Sequence, residues 1–310
     1  LTSKTLDTDI KSIKKAARKG VREELNKRID KIIANKDISI DANSKIIWKN
    51  NPIGRLKKGH NYLTPEIETI VDESTDLDSK LKLEEFLKGW FKNYIDEILG
   101  DLINLTKLEK NNQYLRALVF QLYEKNGVIK RSEIDSIVKL IPPEERKKLW
   151  GMGIKIGRYH VYLHKMLKPK AVEFRISLWK IFYNLTKDHT IPRSGLNFII
   201  NKNYERNFLL LCGFEKFKDF FVRIDILEKL FIKILDNTKD RKFKINSDMM
   251  NLLGCTKENF YKLMTYMNYK KDKTEDTYIF MGERKKKTDK FIKFDKNENP
   301  FKKLLSLNIK

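Results

Sequence analysis

The chain has 310 residues, 41% hydrophobic and 35% charged, and its 65 Lys and Arg against 42 Asp and Glu give a net charge of +23. Such a charge favours a polyanionic partner, either nucleic acid or an anionic membrane surface. The longest apolar runs, such as FLLLCGF at 208–214, are far shorter than the roughly 20 residues that cross a bilayer, so composition predicts a folded, soluble protein without a membrane span.

Charge is distributed unevenly along the chain. Residues 1–36 hold 11 basic and 5 acidic residues, residues 139–180 hold 11 and 3, and residues 283–310 hold 10 and 4, whereas residues 66–109 hold 5 and 12. Three basic blocks therefore surround an acidic one. Because the chain opens at Leu1 and shows no signal-peptide pattern, we expect a part of a longer, cytoplasmic protein.

The predicted fold class is mainly α (α+β): a helical bundle with two winged-helix-like modules and small β-hairpins. In chain order we predict a basic amphipathic helix at 1–37, a β-hairpin segment at 38–64, an acidic helical segment at 65–112, a winged-helix-like module with a basic strand and following helix at 113–190, a helical connector at 191–240, a C-terminal winged-helix-like module at 241–282 and a basic tail at 283–310.

The N-terminal elements follow from periodicity. Apolar residues recur at helical spacing from residue 10 to residue 33, with lysines opposite, and two short β-branched runs flank Asn43 and Ser44 as in a hairpin. The acidic segment predicts helices at about 79–99 and at 101–109, with Trp90, Phe91, Tyr94, Ile95 and Ile98 as core candidates.

The first winged-helix-like module is predicted from the order of its elements. A helix from residue 113 precedes the short run VIK, Ser132 is a plausible N-cap for the next helix, and the PPEERKKLW segment forms a third. The GIKIGRYHVYL segment follows as a strand. Pro169 then opens another helix.

A similar order recurs near the C-terminus. A helix DFFVRIDILEKLFIKIL at 219–235 is followed by the strand KFKI, by a helix capped by Ser247 and ended by Gly254, and by a helix capped by Thr256. The segment that follows is a candidate wing. Helix-turn-helix units of this kind serve either nucleic-acid contact or protein packing.

Three glycines, Gly151, Gly153 and Gly157, raise the question of a phosphate-binding loop. A dinucleotide-binding loop leaves a strand and opens a helix, whereas here a helix precedes the glycines and a strand follows them. No P-loop motif occurs in the chain. We therefore interpret Gly151 as a helix stop and Gly157 as a bend in the strand.

Beyond that bend, Arg158, His160, Tyr162 and His164 would share one face of the strand, a row of side chains suited to phosphates and stacked bases. Tyr162 could equally belong to the core. The candidate nucleic-acid contacts are Lys155, Arg158, His160, Tyr162, Lys168, Lys170, Lys257, Lys262, Arg284, Lys285, Lys286 and Lys287. The run from Arg284 to Lys287 could also be a solvated tail. No catalytic or metal-binding residues are identified, and Cys212 and Cys255 lack a CxxC neighbour, which favours reduced thiols.

Several runs together resemble one family. They are IPPEERKKLWGMGIKIGRYHVYLHKMLKPKAVEFRISLWKIF, with KIIWKNNPIGRL upstream and VRIDILEKL and DMMNLLGCTKENFYKLM downstream. This series looks like the C-terminal half of bacterial, alphaproteobacterial-type relatives of the mitochondrial degradosome RNA helicase, the Suv-type superfamily 2 helicases.

The resemblance implies an accessory region that binds and guides RNA and packs on N-terminal helicase motor domains outside this chain. It implies ATP and Mg²⁺ in that motor and no cofactor in these 310 residues, none of which matches the family's catalytic motifs. A nuclease or a ribosome is a further candidate partner, and no membrane is expected. The alternative is a protein–protein interaction scaffold of an RNA-processing or ribosome-associated complex. Whether the chain alone is an enzyme stays open.

Overall fold

The computed structural model of the chain describes residues 2–34, 37–41, 43–105, 112–185, 190–200, 204–272 and 277–281, with side chains from residue 15 onward. The chain divides into two compact units, unit 1 at Leu1–Ile232 and unit 2 at Lys233–Lys310. Both units combine α-helices with small antiparallel sheets, as an α+β fold predicts. No helix among the described residues is long and apolar enough to cross a membrane.

Unit 1 begins with a long helix and a four-stranded antiparallel sheet. The elements are α1 (Thr2–Ala34), β1 (Ile38–Ile40), β2 (Lys45–Trp48), β3 (Asn51–Asn61) and β4 (Thr64–Thr69), and the strand order is β1-β2-β3-β4. The predicted hairpin around Asn43 and Ser44 is confirmed by the pairing of β1 with β2. Strands β3 and β4 were not predicted as separate strands, because lysines and glycines interrupt the apolar alternation in β3 and β4 has only one large apolar residue, Ile67.

Helix α2 (Leu77–Asn104) packs against this sheet. Asp76 caps it by accepting a hydrogen bond from the Ser79 N–H at 3.2 Å. Phe91, Ile95 and Ile98 are buried as predicted. The helix is longer than the predicted 79–99 because its apolar stripe continues through residue 102. Residues 106–109 of the second predicted helix lie outside the described residues.

The predicted first module is present as helices and a three-stranded sheet, which we call module 1. It comprises α3 (Gln113–Glu124), β5 (Val128–Lys130), α4 (Arg131–Leu140), α5 (Pro143–Gly151), β6 (Ile154–Ile156) and β7 (His160–Leu163), with the strand order β5-β7-β6. One prediction is wrong: Ser132 lies inside α4, and the N-cap, Lys130, forms no side-chain cap hydrogen bond. A short 3₁₀ helix (His164–Leu167) and α6 (Pro169–Phe182) follow, and Pro169 opens α6 as predicted.

The predicted helical connector at 191–240 instead contains a second three-stranded sheet. Module 2 comprises β8 (Phe198–Ile200), α7 (Arg206–Leu211), β9 (Phe214–Phe217) and β10 (Phe220–Arg223), with the strand order β8-β10-β9. The run FFVR, predicted as the start of a helix at 219–235, is strand β10. Aromatic and β-branched residues favour a strand once antiparallel neighbours can pair with them, as β8 and β9 do here.

The C-terminal module, module 3, lies in unit 2. Helix α8 (Ile224–Asp236) precedes it, and unit 2 begins within the last turn of that helix. Module 3 comprises β11 (Lys242–Lys244), α9 (Ser247–Leu253), α10 (Lys257–Tyr266), β12 (Tyr269–Lys271) and β13 (Thr277–Phe280). The strand order is β11-β13-β12. Gly254 ends α9 in the left-handed conformation and Thr256 caps α10, as predicted. The cap of α9 is Asn246 rather than Ser247.

The three modules share one turn between their last helix and the hairpin that follows. In each, a residue with positive φ lies two residues beyond the helix and immediately before the strand: Gly153 (φ 82°), Gly213 (φ 83°) and Asn268 (φ 64°). Its N–H donates to the carbonyl three residues earlier, and its carbonyl accepts from the residue after the third strand. Module 2 is therefore a third copy of the same local structure. Helix α5 ends at Gly151, as predicted, and Gly153 supplies the left-handed residue that follows the helix.

Arg175 links module 1 to module 2 within unit 1. This α6 side chain is fully buried, and its guanidinium donates to the carbonyls of Asn126, Met166 and Leu211 at 2.5–2.9 Å. Asn126 precedes β5, and Leu211 ends α7. Burial lowers the pKa of Arg175. One buried cation therefore satisfies carbonyls from three segments of the chain.

Candidate nucleic-acid interface

The glycine-rich run forms a tight hairpin rather than one bent strand. Strands β6 and β7 are antiparallel, with Ile156 opposite Val161, and the Gly157 N–H donates to the His160 carbonyl at 2.8 Å. Arg158 and Tyr159 form the tip of the turn. The change in apolar alternation at Gly157 therefore marks a reversal of chain direction.

The amide groups of this turn bind an anion from the chain itself. The Glu228 carboxylate of α8 accepts the N–H groups of Arg158, Tyr159 and His160 at 2.7, 2.9 and 2.8 Å. A Cβ at Gly157 would lie only 2.3–2.6 Å from the same carboxylate. Glycine at 157 therefore lets the carboxylate lie this close to the turn, and a larger residue would have to displace it. Its amides are already taken, so the glycine-rich run does not fit the phosphates of ATP, and no nucleotide chemistry is assigned to it.

His160 is buried between two carboxylates. It is 1% exposed, its Nε2 lies 2.9 Å from a Glu215 oxygen, and its Nδ1 lies 3.6 Å from Glu228. Burial alone would lower the pKa of His160, but the two carboxylates outweigh it and raise the pKa above its usual value. Burial raises the pKa of Glu215, but the neighbouring His160 and Lys130 lower it by more, so the pKa lies below its usual value. Lys130 forms an ion pair with Glu215 as well.

The prediction that Arg158, His160, Tyr162 and His164 form one open row is wrong. Tyr162 is 6% exposed and packs in a cluster with Val128 and Ile224, and burial raises its pKa. The predicted strand gives way to a 3₁₀ helix at His164, so the four side chains share no face: Arg158 and His164 are exposed, whereas His160 and Tyr162 are covered within unit 1. We therefore do not carry His160 and Tyr162 forward as nucleic-acid contacts.

Arg158 and the predicted lysines after β7 lie in different surroundings. The Arg158 guanidinium lies 5.9 Å from the centre of the Phe231 ring on α8. Lys170 pairs with Glu97 at 3.1 Å, an exposed pair that contributes little to stability and leaves the lysine accessible. Lys168 lines a cavity together with His164.

Lys155 is joined by an aromatic residue that sequence analysis missed. Trp150, the penultimate residue of α5, is 65% exposed, and the Lys155 Nζ lies 4.2 Å from its ring centre. Lys147 is exposed one turn earlier on the same helix. We call Lys147, Trp150 and Lys155 the module 1 surface. A large aromatic residue near the end of a basic helix was the available signal for it.

Unit 2 presents lysines at the corresponding positions of module 3. Lys262 precedes the left-handed residue Asn268 by the same six positions that separate Lys147 from Gly153, and Lys270 follows it by two, as Lys155 follows Gly153. Both are exposed. We call Lys257, Lys262 and Lys270 the module 3 surface. Lys257 is exposed at the start of α10, with its Nζ 5.7 Å from the Tyr261 ring.

Module 2 differs at these two positions. It carries Asn207 in place of the helix lysine and Glu215 in place of the strand lysine. Glu215 is 6% exposed because it pairs with His160 and Lys130 of module 1. The corresponding strand position in module 2 thus serves packing. The residues Arg284, Lys285, Lys286 and Lys287 lie outside the described part of the chain.

The described residues contain no group of three or more His, Cys, Asp and Glu side chains arranged to hold a metal ion. Burial raises the pKa of Cys212 to about 12 and that of Cys255 to about 11. Both thiols are therefore protonated at neutral pH, and neither is an activated nucleophile. Lysines beside aromatic rings, Lys155 at Trp150 and Lys257 at Tyr261, are the features of the described surface that would suit nucleic acid.

Comparisons of the chain with protein-family models, with curated proteins and with solved structures gave no match.

Proposed function

We propose that this chain is an RNA-binding accessory region of an ATP-dependent RNA helicase, of the Suv-type family that its sequence resembles. In this proposal modules 1 and 3 are winged-helix-like, and their lysines contact the RNA backbone. The motor domains lie outside these 310 residues and hold ATP and Mg²⁺. The protein acts in the cytoplasm.

The winged-helix interpretation is supported by element order and strand order together. In modules 1 and 3 a helix, a strand, two helices and a hairpin follow one another, and the first strand pairs with the third rather than with the second. In winged helix-turn-helix proteins the second helix of the helix pair meets the nucleic acid. Here those helices are α5 and α10.

One observation carries the RNA-binding proposal: lysines recur at equivalent positions of α5 and α10 and of the strands that follow them, three of them exposed and Lys155 half-buried beside Trp150. These are Lys147 and Lys262 on the helices and Lys155 and Lys270 on the strands. Module 2, which lies between modules 1 and 3 in the sequence, carries Asn207 and Glu215 at these positions instead. Lysines placed on the contact helix and wing would neutralise phosphates, which supply most non-specific affinity for nucleic acids.

RNA rather than duplex DNA is favoured by the exposed ring of Trp150. Single-stranded RNA offers unstacked bases, and aromatic side chains recognise them by stacking. Lys155, which lies over that ring, is placed to contact the neighbouring phosphate. The net charge of +23 would add long-range attraction for any polyanion.

The proposal is tested by RNA affinity of the purified chain, measured by fluorescence anisotropy with a labelled single-stranded oligonucleotide and with a hairpin. We expect binding to both, with the single strand preferred, and no ATP hydrolysis by this chain alone. The variant Lys262→Glu with Lys270→Glu should weaken binding at least tenfold, whereas Lys82→Glu with Lys92→Glu on α2 should change it less than threefold. Equal effects of the two pairs would contradict the proposal.

A protein-interaction scaffold is the second candidate, because α2 exposes two leucines one turn apart. Leu77 is 71% exposed and Leu81 is 53% exposed. Such a pair can anchor a partner helix. If Leu77→Ser with Leu81→Ser abolishes binding to the motor, a nuclease or a ribosome while the lysine variants leave RNA affinity unchanged, this second function replaces the first.

A further inference from the structure

A cavity of about 240 Å³ opens in unit 1, and none of the lysines of the module 1 and module 3 surfaces lines it. The 3₁₀ helix at 164–167, the start of α6, the loop at 191–196 and the ends of β9 and β10 surround it. Its volume lies just below the roughly 300–1,000 Å³ of pockets that enclose drug-sized ligands. The cavity therefore suits one compact group.

The inner wall of the cavity is apolar. Val172, Cys212 and Phe214 are only 5–6% exposed, and the buried Pro192 and the half-buried Leu167 complete this side. The raised pKa of Cys212 keeps its thiol neutral. The flat face of a nucleobase would gain contact with these apolar side chains, while the polar edge of the base would have to stay toward the open mouth to remain hydrated.

The mouth of the cavity carries an excess of positive charge. Lys168 and Arg193 are exposed there, with one exposed carboxylate, Glu173. The second carboxylate, Asp225, is neutralised by Arg223, whose Nε and Nη2 lie 2.7 and 2.6 Å from its two oxygens. The remaining cations outnumber Glu173, so the mouth favours an anionic group at a short distance from the apolar wall.

We propose that this cavity takes a single unstacked nucleotide, with its base against the apolar wall and its phosphate at Lys168 and Arg193. A planar ring joined to a phosphate matches this lining, with the ring face on the wall and the phosphate at the mouth, whereas inorganic phosphate leaves the wall unfilled. The nucleotide is either free in solution or one residue of a bound RNA strand. The second source rests on the RNA-binding function proposed above.

Free nucleotides are tested first, because this arm does not depend on RNA binding. Uridine and adenosine monophosphate and, separately, inorganic phosphate are titrated into the full chain, and binding is followed by NMR line shapes and calorimetry. A monophosphate should bind at least tenfold more tightly than phosphate alone. Arg193→Glu and Leu196→Trp, which fills the cavity from its exposed loop, should each weaken it at least tenfold, whereas Lys92→Glu should not. Binding that neither cavity variant alters would overturn the proposal.

The RNA arm uses an oligonucleotide that contains one 2-aminopurine. Its fluorescence should change on binding to the wild-type chain, and Leu196→Trp should remove that change while total RNA affinity stays within threefold. If RNA binds but neither the fluorescence nor the free nucleotides respond to the cavity, the cavity proposal is wrong and the RNA-binding function stands. If RNA does not bind but monophosphates do, the RNA-binding function fails and the cavity is a site for free nucleotides.

Discussion

Modules 1 and 2 share one turn and one strand order, yet the same strand position serves opposite purposes in them. Lys155 of module 1 lies beside the exposed Trp150, whereas Glu215 of module 2 is buried against His160 and Lys130. Module 3, in the other unit, has the exposed Lys270 at this position. Topology alone therefore does not locate a binding surface in a repeated fold. The residue type at equivalent positions distinguishes a packed copy from an open one.

The packing of module 2 against module 1 depends most on Arg175. Arg175→Met keeps most of the side-chain volume but removes the donor from three carbonyls, two of them in fully buried hydrogen bonds, so it should lower the free energy of unfolding by about 3–5 kcal/mol. Urea denaturation followed by tryptophan fluorescence measures the loss. Lys180→Met on the same helix should change stability by less than about 0.5 kcal/mol. Equal losses in the two variants would refute the role given to Arg175.

The hairpin of module 1 depends on the absence of a side chain at Gly157. Gly157→Ala places a methyl group in contact with the Glu228 carboxylate and should cost about 1–3 kcal/mol of stability. Gly151→Ala is the matched control, because nothing lies within 4 Å of its Cβ and alanine is the better helix former. It should be neutral or slightly stabilising. A tolerated Gly157→Ala would mean that Glu228 does not occupy the turn.

The open surface of module 1 is tested by removing its aromatic ring. Trp150→Ala should weaken single-stranded RNA binding by about 1–3 kcal/mol, the usual contribution of one stacked base. Phe120→Ala is the control, since Phe120 on α3 is also exposed, at 59%, but lies outside the module 1 surface. Fluorescence anisotropy at one fixed salt concentration compares the two. A similar loss from both variants would indicate a general effect of apolar exposure.

The stability of the contact between modules 1 and 2, which includes the pair His160 and Glu215, should depend on pH. The raised pKa of His160 gives stability that is complete below its unfolded pKa of about 6.5 and is lost as pH rises through the folded pKa. The lowered pKa of Glu215 acts oppositely: its contribution is present above the unfolded pKa and is lost as pH falls through the folded value. Urea midpoints between pH 6 and pH 9 should therefore decline for the wild-type chain. The decline should be smaller in His160→Gln, and an unchanged decline would contradict the prediction.

Much of the local structure was predictable from sequence because it follows from residues close in the chain. Thr256 and Gly254 lie next to the helix ends that they define, and Pro169 opens α6 through its fixed φ. The hairpin around Asn43 was equally local. Module 2 was missed because FFVR has both helical and strand potential, and its strand state depends on pairing with β9 across a short turn and with the more distant β8.

The candidate site was predicted only in part for the same reason. Alternation along one strand suggested an open face at His160 and Tyr162, but Glu215, Glu228 and Ile224 approach that face from elements 50 or more residues away. These contacts form only in the tertiary structure, and no residue close in sequence indicates them. Lys168, Lys170, Lys257 and Lys262, by contrast, were predicted as contacts and are exposed, because no burial had to be inferred for them, whereas Lys147 and Lys270 were not predicted.

The claim that modules 1 and 3 contact RNA through equivalent lysines is tested most directly by the salt dependence of affinity. The slope of log K against log salt should be reduced by about 1 for each phosphate contact removed, so Lys147→Gln with Lys262→Gln should reduce it by about 2. The control pair Lys82→Gln with Lys92→Gln removes the same charge from α2 and should leave the slope unchanged. An equal reduction in both double variants, or none in either, would contradict the claim.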